Sequence, residues 1–145
     1  MKEENHMIEP KEECEKIMNT LLPIGVDFLK KHKEFYPFGA VMSIDGEISF
    51  IGFYDGNEMP DSKELLHNLK KSCKHMADNN EIKASGFAFN TSISSDNGKD
   101  EDAIIISLEH KERYSVQVAL PYKAGFLGRF RFGDLIALKG ENDIF

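Results

Sequence analysis

The stretch Phe38-Gly39-Ala40-Val41-Met42-Ser43-Ile44, then Asp45-Gly46, then Glu47-Ile48-Ser49-Phe50-Ile51-Gly52-Phe53-Tyr54 decides the fold. Asp-Gly between two apolar runs is the strongest short-range signal for a β-hairpin, because both residues tolerate the positive φ of a tight turn. A two-residue turn pairs Ile44 with Glu47, Met42 with Ser49, Ala40 with Ile51 and Phe38 with Phe53. The opposite face then carries Val41, Ile48, Phe50 and Tyr54. Both faces are apolar, whereas a sheet with one solvated face alternates apolar and polar residues. Something is therefore expected to cover each side of this hairpin.

Upstream, Pro10 suits a first helical turn, and Glu12, Glu13 and Glu15 suit its dipole. Cys14, Ile17, Met18, Leu21, Leu22, Val26, Phe28 and Leu29 approximate a helical apolar stripe. Lys30, Lys31 and Lys33 enrich the other end. The spacing predicts a helix over 10–33, with a kink or break at Pro23. Downstream, Asp61 and Glu64 resemble a capping box. Leu65, Leu66, Leu69, Cys73 and Met76 then predict a second helix over 62–79.

Strand three is expected from Ile82 to Thr91, with Phe87 and Phe89 on one face. Ala84, Gly86 and Ala88 on the other allow a close approach by a helix or another backbone. Residues 92–102 read as a mobile polar loop. Strand four, Ala103–Glu109, is β-branched through Ile104-Ile105-Ile106. Strand five, Tyr114–Leu120, alternates cleanly. The tail from Pro121 is too apolar to be free, so it is expected to pack, as a short strand or helical turn near 132–138.

The order α-β-β-α-β-β-β makes an α+β domain. A five-stranded, mainly antiparallel sheet with two helices on one face is the natural packing, with the tail packed against the body. The whole chain, 1–145, reads as one domain with residues 1–9 frayed. This order resembles roadblock and profilin-like domains. The stretch Tyr36-Pro37-Phe38-Gly39-Ala40-Val41 before the Asp45-Gly46 turn, together with the ending Gly140-Glu141-Asn142-Asp143-Ile144-Phe145, resembles a family of small bacterial proteins of unknown function. That resemblance covers most of the chain from residue 36 and implies no activity and no catalytic residue.

The 145 residues hold 25 acids and 18 bases, a net charge of −7. Phosphate neutralisation needs an excess of Lys and Arg, so duplex nucleic acid is disfavoured. No stretch approaches a membrane span, and no membrane partner is expected. The N-terminus Met1-Lys2-Glu3-Glu4-Asn5-His6 lacks the apolar core of a secretory signal. Cys14 and Cys73 are too few for a disulfide framework and fall on helical apolar faces. They read as buried thiols in a reducing cytoplasm. The charge is uneven: residues 1–16 and Asp96–Glu112 are acidic, while Lys123, Arg129, Arg131 and Lys139 make the tail basic.

Candidate chemistry is sparse. His6, His32, His67, His75 and His110 form no metal-ligand spacing, so neither metal nor cofactor is expected. The loop Asp96-Asn97-Gly98-Lys99-Asp100-Glu101-Asp102 is acidic but does not match a Ca²⁺ loop. Asp45, Glu47, Asp55 and Glu58 could pair as carboxylates, but they sit where turns favour them for backbone reasons. Gly125, Gly128 and Gly133 match no phosphate loop. Arg129-Phe130-Arg131-Phe132 interleaves base and aromatic as single-strand binders do, but buried Phe with solvated Arg explains it without nucleic acid, and the net acidity favours that reading.

The surplus apolar sheet surface and the absence of a catalytic motif predict a non-enzymatic cytosolic interaction domain, assembled as a homodimer or bound to a protein partner. Phe38, Val41, Phe50, Ile51 and Phe53 are the interface candidates. A sharper version is an acidic inhibitor or immunity-type protein facing a basic partner. The alternative is a domain or enzyme that binds an anionic metabolite between tail and sheet. Tyr122, Lys123, Phe126, Arg129, Phe130 and Arg131 would line that pocket.

Overall fold

A computed structural model of the chain describes residues 9–52, 61–94 and 98–145. Helix α1 spans Pro10–His32, with Pro at its start, acids in its first turn and bases in its last. It continues through Pro23, so of the kink or break expected there the break does not occur. Pro23 forfeits one ladder hydrogen bond, but Leu21, Gly25 and Leu29 on either side stay buried and hold the helix on the sheet. Lys33 closes α1 in the left-handed region (φ 66°), its N–H donating to the Leu29 carbonyl at 2.8 Å.

Strands β1 (Phe38–Ser43) and β2 (Ile48–Ile51) form the predicted hairpin, in a different register. The pairs are Gly39 with Ile51, Ala40 with Phe50, Val41 with Ser49 and Met42 with Ile48. The Ser43 N–H donates to the Glu47 carbonyl at 2.8 Å, so Ile44, Asp45 and Gly46 make a three-residue loop. Gly46 takes the left-handed position (φ 92°) that such a loop needs. This corrects the two-residue turn. The slip of one residue moves every β2 side chain to the other face. Phe50 joins Ala40 and Met42, and Ile51 joins Val41.

Helix α2 spans Ser62–Asp78, and the Asp61 carboxylate accepts from the Lys63 N–H at 2.9 Å to start it. Three long strands follow: β3 (Ile82–Ser94), β4 (Asp100–His110) and β5 (Tyr114–Ala124). The β3–β4 ladder continues through Ser92–Asp102, Ile93–Glu101 and Ser94–Asp100, so most of the expected loop over 92–102 is paired strand. The Ser92 hydroxyl donates to the Asp102 carboxylate at 3.3 Å, which helps this polar stretch stay in the ladder. A short 3₁₀ turn, Phe126–Gly128, leads to β6 (Phe130–Phe132) and β7 (Ile136–Lys139).

Among the described residues the sheet has seven strands in the order β2-β1-β3-β4-β5, with β6 and β7 lying in series along the outer edge of β5. All pairings are antiparallel. The five strands expected become seven because the apolar tail satisfies its backbone on β5 rather than as a helical turn.

The two helices do not share a face, which corrects the expected packing. Ala40 and Met42 join Ile17 and Leu21 of α1, together with Ala84, Ala88, Ile104, Ile106 and Leu108, in one core. Val41, between Ala40 and Met42, packs instead with Leu69 and Cys73 of α2 and with Phe87 and Ile144. Adjacent strand residues point to opposite faces, so α1 and α2 sandwich the sheet. This arrangement accounts for a hairpin apolar on both sides. The small face of β3 admits α1 closely: a Cβ on Gly86 would lie 2.5 Å from Ile17 Cγ2 and 3.1 Å from Leu21 Cδ1. Among the described residues, no helix is long and apolar enough to cross a membrane.

Candidate interaction surface

Two buried carboxylates tie the layers together. Glu13, in the first turn of α1, reaches the ends of the two central strands β3 and β4. Its Oε1 accepts from His110 Nε2 at 2.9 Å, and its Oε2 pairs with Lys83 Nζ at 2.6 Å. The Glu112 N–H donates to His110 Nδ1 at 3.0 Å, which leaves the ring proton on Nε2, facing Glu13. Burial pushes the Glu13 pKa up, but the Lys83 and His110 hydrogen bonds outweigh it and hold the carboxyl below its ordinary value. Both carboxylate oxygens and both ring nitrogens are engaged, so this cluster joins α1 to β3 and β4.

Glu109, on the α2 face of β4, holds the segment 140–145. Its Oε1 accepts from the Asp143 N–H at 2.7 Å, and its Oε2 accepts from Ile144 and Phe145 at 3.0 and 3.2 Å. Around it, Lys70 of α2 pairs with Glu141 at 3.1 Å and Asp143 at 3.0 Å. Gln117 donates to Glu141, and the Ser115 hydroxyl donates to Asn142. Ile144 is buried in the α2 core. A Cβ on Gly140 would lie 2.5 Å from Val116 N, so only glycine lets the segment lie this close to β5. The ending singled out in the sequence is thus a clasp between α2 and the sheet. Sequence reasoning passed over Glu13, His110 and Glu109 because each of their partners is remote in the chain.

Burial pushes the thiols of Cys14 and Cys73 up to about 12, so both are protonated at neutral pH and neither is a nucleophile. Among the described residues, no three His, Cys, Asp or Glu side chains gather to hold a metal ion.

The residues proposed to line a pocket at the tail fall on two sides of the β5–β6 hairpin. Tyr122 is buried on the α1 face, edge-on to Phe130 at 5.8 Å and tilted against Phe132 at 6.3 Å. Asn90 donates to its hydroxyl at 3.5 Å, and Lys30 of α1 lies over the Phe132 ring. Lys123 and Arg131 are cross-strand partners on the other face, and Arg129, two residues from Arg131, shares it. Phe126 projects from the tip with 86% of its surface exposed. The aromatics and the cations therefore do not converge on one ligand.

The hairpin interface candidates also divide. Val41 is buried beneath α2, with Ile51 packed at the margin of the same core. Phe38 stacks edge-on with Phe28 and Phe35 at 5.5 and 5.6 Å on the α1 face. Phe50 is 58% exposed on the edge strand β2. Phe53 lies outside the described residues, as do Tyr54, Asp55 and Glu58.

At the opposite edge, β7 is exposed along its whole length. Leu135, Ile136 and Leu138 present apolar side chains there. Among the described residues β7 pairs with β5 alone, so its outer backbone groups face outward. No family model, curated protein or solved structure matches the chain.

Proposed function

We propose that the protein is a non-enzymatic interaction domain that self-associates through β7. The observation that supports this most is an exposed strand with Leu135, Ile136 and Leu138 on an open sheet edge. Such an edge is a template for another strand, and proteins that stay monomeric usually blunt it with charge, proline or a cover. Of β7, only Lys139 is charged. Two copies pairing β7 to β7 antiparallel satisfy a two-fold axis and extend one continuous sheet. The structural use of Glu13 and Glu109 and the raised pKa of both thiols support a binding role over a catalytic one.

Size-exclusion chromatography with light scattering tests this reading. The expected mass is that of a dimer, and Ile136→Lys with Leu138→Lys is expected to reduce it to a monomer of unchanged circular dichroism. Phe50→Lys, on the other sheet edge, is expected to leave the dimer intact. A strict monomer at all concentrations, or a dimer lost only with Phe50→Lys, overturns it.

A further inference from the structure

The β5–β6 tip has a construction that neither the sheet nor the core requires. Phe126 and Leu127 stand at the apex with 86% and 81% of their surfaces exposed. Leu127 is held in the left-handed region (φ 60°), and Gly128 follows it there (φ 73°). A left-handed backbone costs a non-glycine residue stability, so this apex is kept against its own local preference. The Gly125 N–H donates to the Arg129 carbonyl and closes the tip, where a Cβ on Gly125 would lie 2.7 Å from that oxygen.

Behind the apex, Lys123, Arg129 and Arg131 are exposed on one face. Lys123 and Arg131 are direct cross-strand partners, a like-charge pairing that weakens a sheet unless an anion is supplied. Among the described residues none of the three is in an ion pair. Glu101 on the neighbouring strand shares their face without pairing to them.

We propose that this tip docks the protein on an anionic lipid surface, with Phe126 and Leu127 entering the interface and Lys123, Arg129 and Arg131 meeting the headgroups. One apolar anchor alone holds a protein to a membrane only marginally; stable anchoring takes two signals, such as an apolar anchor and a basic patch, and the tip carries both. A protein partner would need on the order of 800 Å² from each side, more than a three-residue convex apex supplies, whereas a bilayer yields to a small knob. Single-stranded nucleic acid stacks successive bases on several open rings, and here Phe130 and Phe132 are turned toward Tyr122, which leaves Phe126 as the one exposed ring of the tip. The net charge of −7 does not prevent this, because charges farther than about 8 Å are screened at physiological salt. The proposal departs from the sequence expectation of no membrane partner, which rested on the absence of a span. It does not rest on self-association through β7.

The chain contains no Trp, so Phe126→Trp places a single fluorescent reporter at the apex. Its emission is expected to shift to the blue with vesicles of phosphatidylcholine and phosphatidylserine, and to stay unchanged with phosphatidylcholine alone. In co-sedimentation with the mixed vesicles, Lys123→Ala, Arg129→Ala and Arg131→Ala are each expected to lower the partition coefficient about fivefold. Phe126→Ser with Leu127→Ser is expected to abolish sedimentation with unchanged circular dichroism, since neither side chain belongs to the core. Failure to bind mixed vesicles, equal binding to neutral ones, or binding indifferent to the apex variant overturns the proposal. So does capture of an acidic peptide such as polyglutamate, through the same cations, in place of vesicles.

Discussion

Gly86 has no side chain, and that absence decides how closely α1 lies on the sheet. A methyl group there would meet Ile17 Cγ2 at 2.5 Å, with Leu21 and Leu108 each at 3.1 Å. Gly86→Ala is therefore expected to destabilise the fold by about 1–3 kcal/mol in urea unfolding, through overpacking. An unchanged midpoint would mean that α1 can back away freely. Glu13 acts through charge. Its carboxyl sits below its ordinary value of 4.5, held there by Lys83 and His110 against the opposing effect of burial. A depressed carboxylate stabilises fully above its ordinary value, and that contribution fades as pH falls through the lower folded value. Glu13→Gln is expected to lose about 2–3 kcal/mol at neutral pH, less than the roughly 3–5 kcal/mol of a fully buried pair, because the Lys83 side chain is 21% exposed and can turn to water. The variant should also lose part of the wild-type fall in stability below pH 4.5; parallel pH–stability curves would remove Glu13 from the account.

At the scale of elements, the clasp of residues 140–145 is held by one carboxylate rather than by a ladder. Three consecutive N–H groups converge on Glu109, and Gly140 lets the chain arrive there. Glu109→Gln replaces one acceptor oxygen with an amide NH₂ donor. It should leave at least one of the three N–H groups without its acceptor, at a cost of about 1 kcal/mol where that group reaches water and up to about 3 kcal/mol where it is the buried Ile144 N–H. The amides of 143–145 are expected to exchange hydrogen much faster in this variant while those of β4 change little. Unchanged exchange at 143–145 would show that Ile144 packing alone secures the clasp. The β1–β2 hairpin shows how finely an element depends on its turn. Asp45-Gly46 announced it correctly, yet a loop of three residues instead of two exchanged the faces of β2 and sent Phe50 and Ile51 to opposite sides. Both loop lengths suit the same dipeptide, so local chemistry could not choose between them.

For the whole molecule, self-association through β7 predicts that the thermal midpoint rises with protein concentration, because assembly stabilises the folded chain by mass action. A midpoint independent of concentration over a hundredfold range would count against a dimer. The α+β class, both helices and the three long strands were legible in the sequence, because amphipathic period, capping and β-branching act within a few residues. So was the close approach at Ala84, Gly86 and Ala88. The clusters around Glu13 and Glu109 were not, since His110 lies 97 positions from Glu13 and Ile144 lies 35 from Glu109. The tail was rightly expected to pack, but its division into β6 and β7 follows from the free edge of β5, which is a property of the assembled sheet. Nor could the sequence distribute the helices: a hairpin apolar on both faces is compatible with a helix on each side or with a partner on one. By itself the sequence determined which elements form and which residues avoid water, because those depend on neighbours in the chain. Only the tertiary structure decided which face each helix covers, how the tail closes the sheet and which apolar side chains are left exposed, because those follow from contacts between residues that the chain keeps far apart.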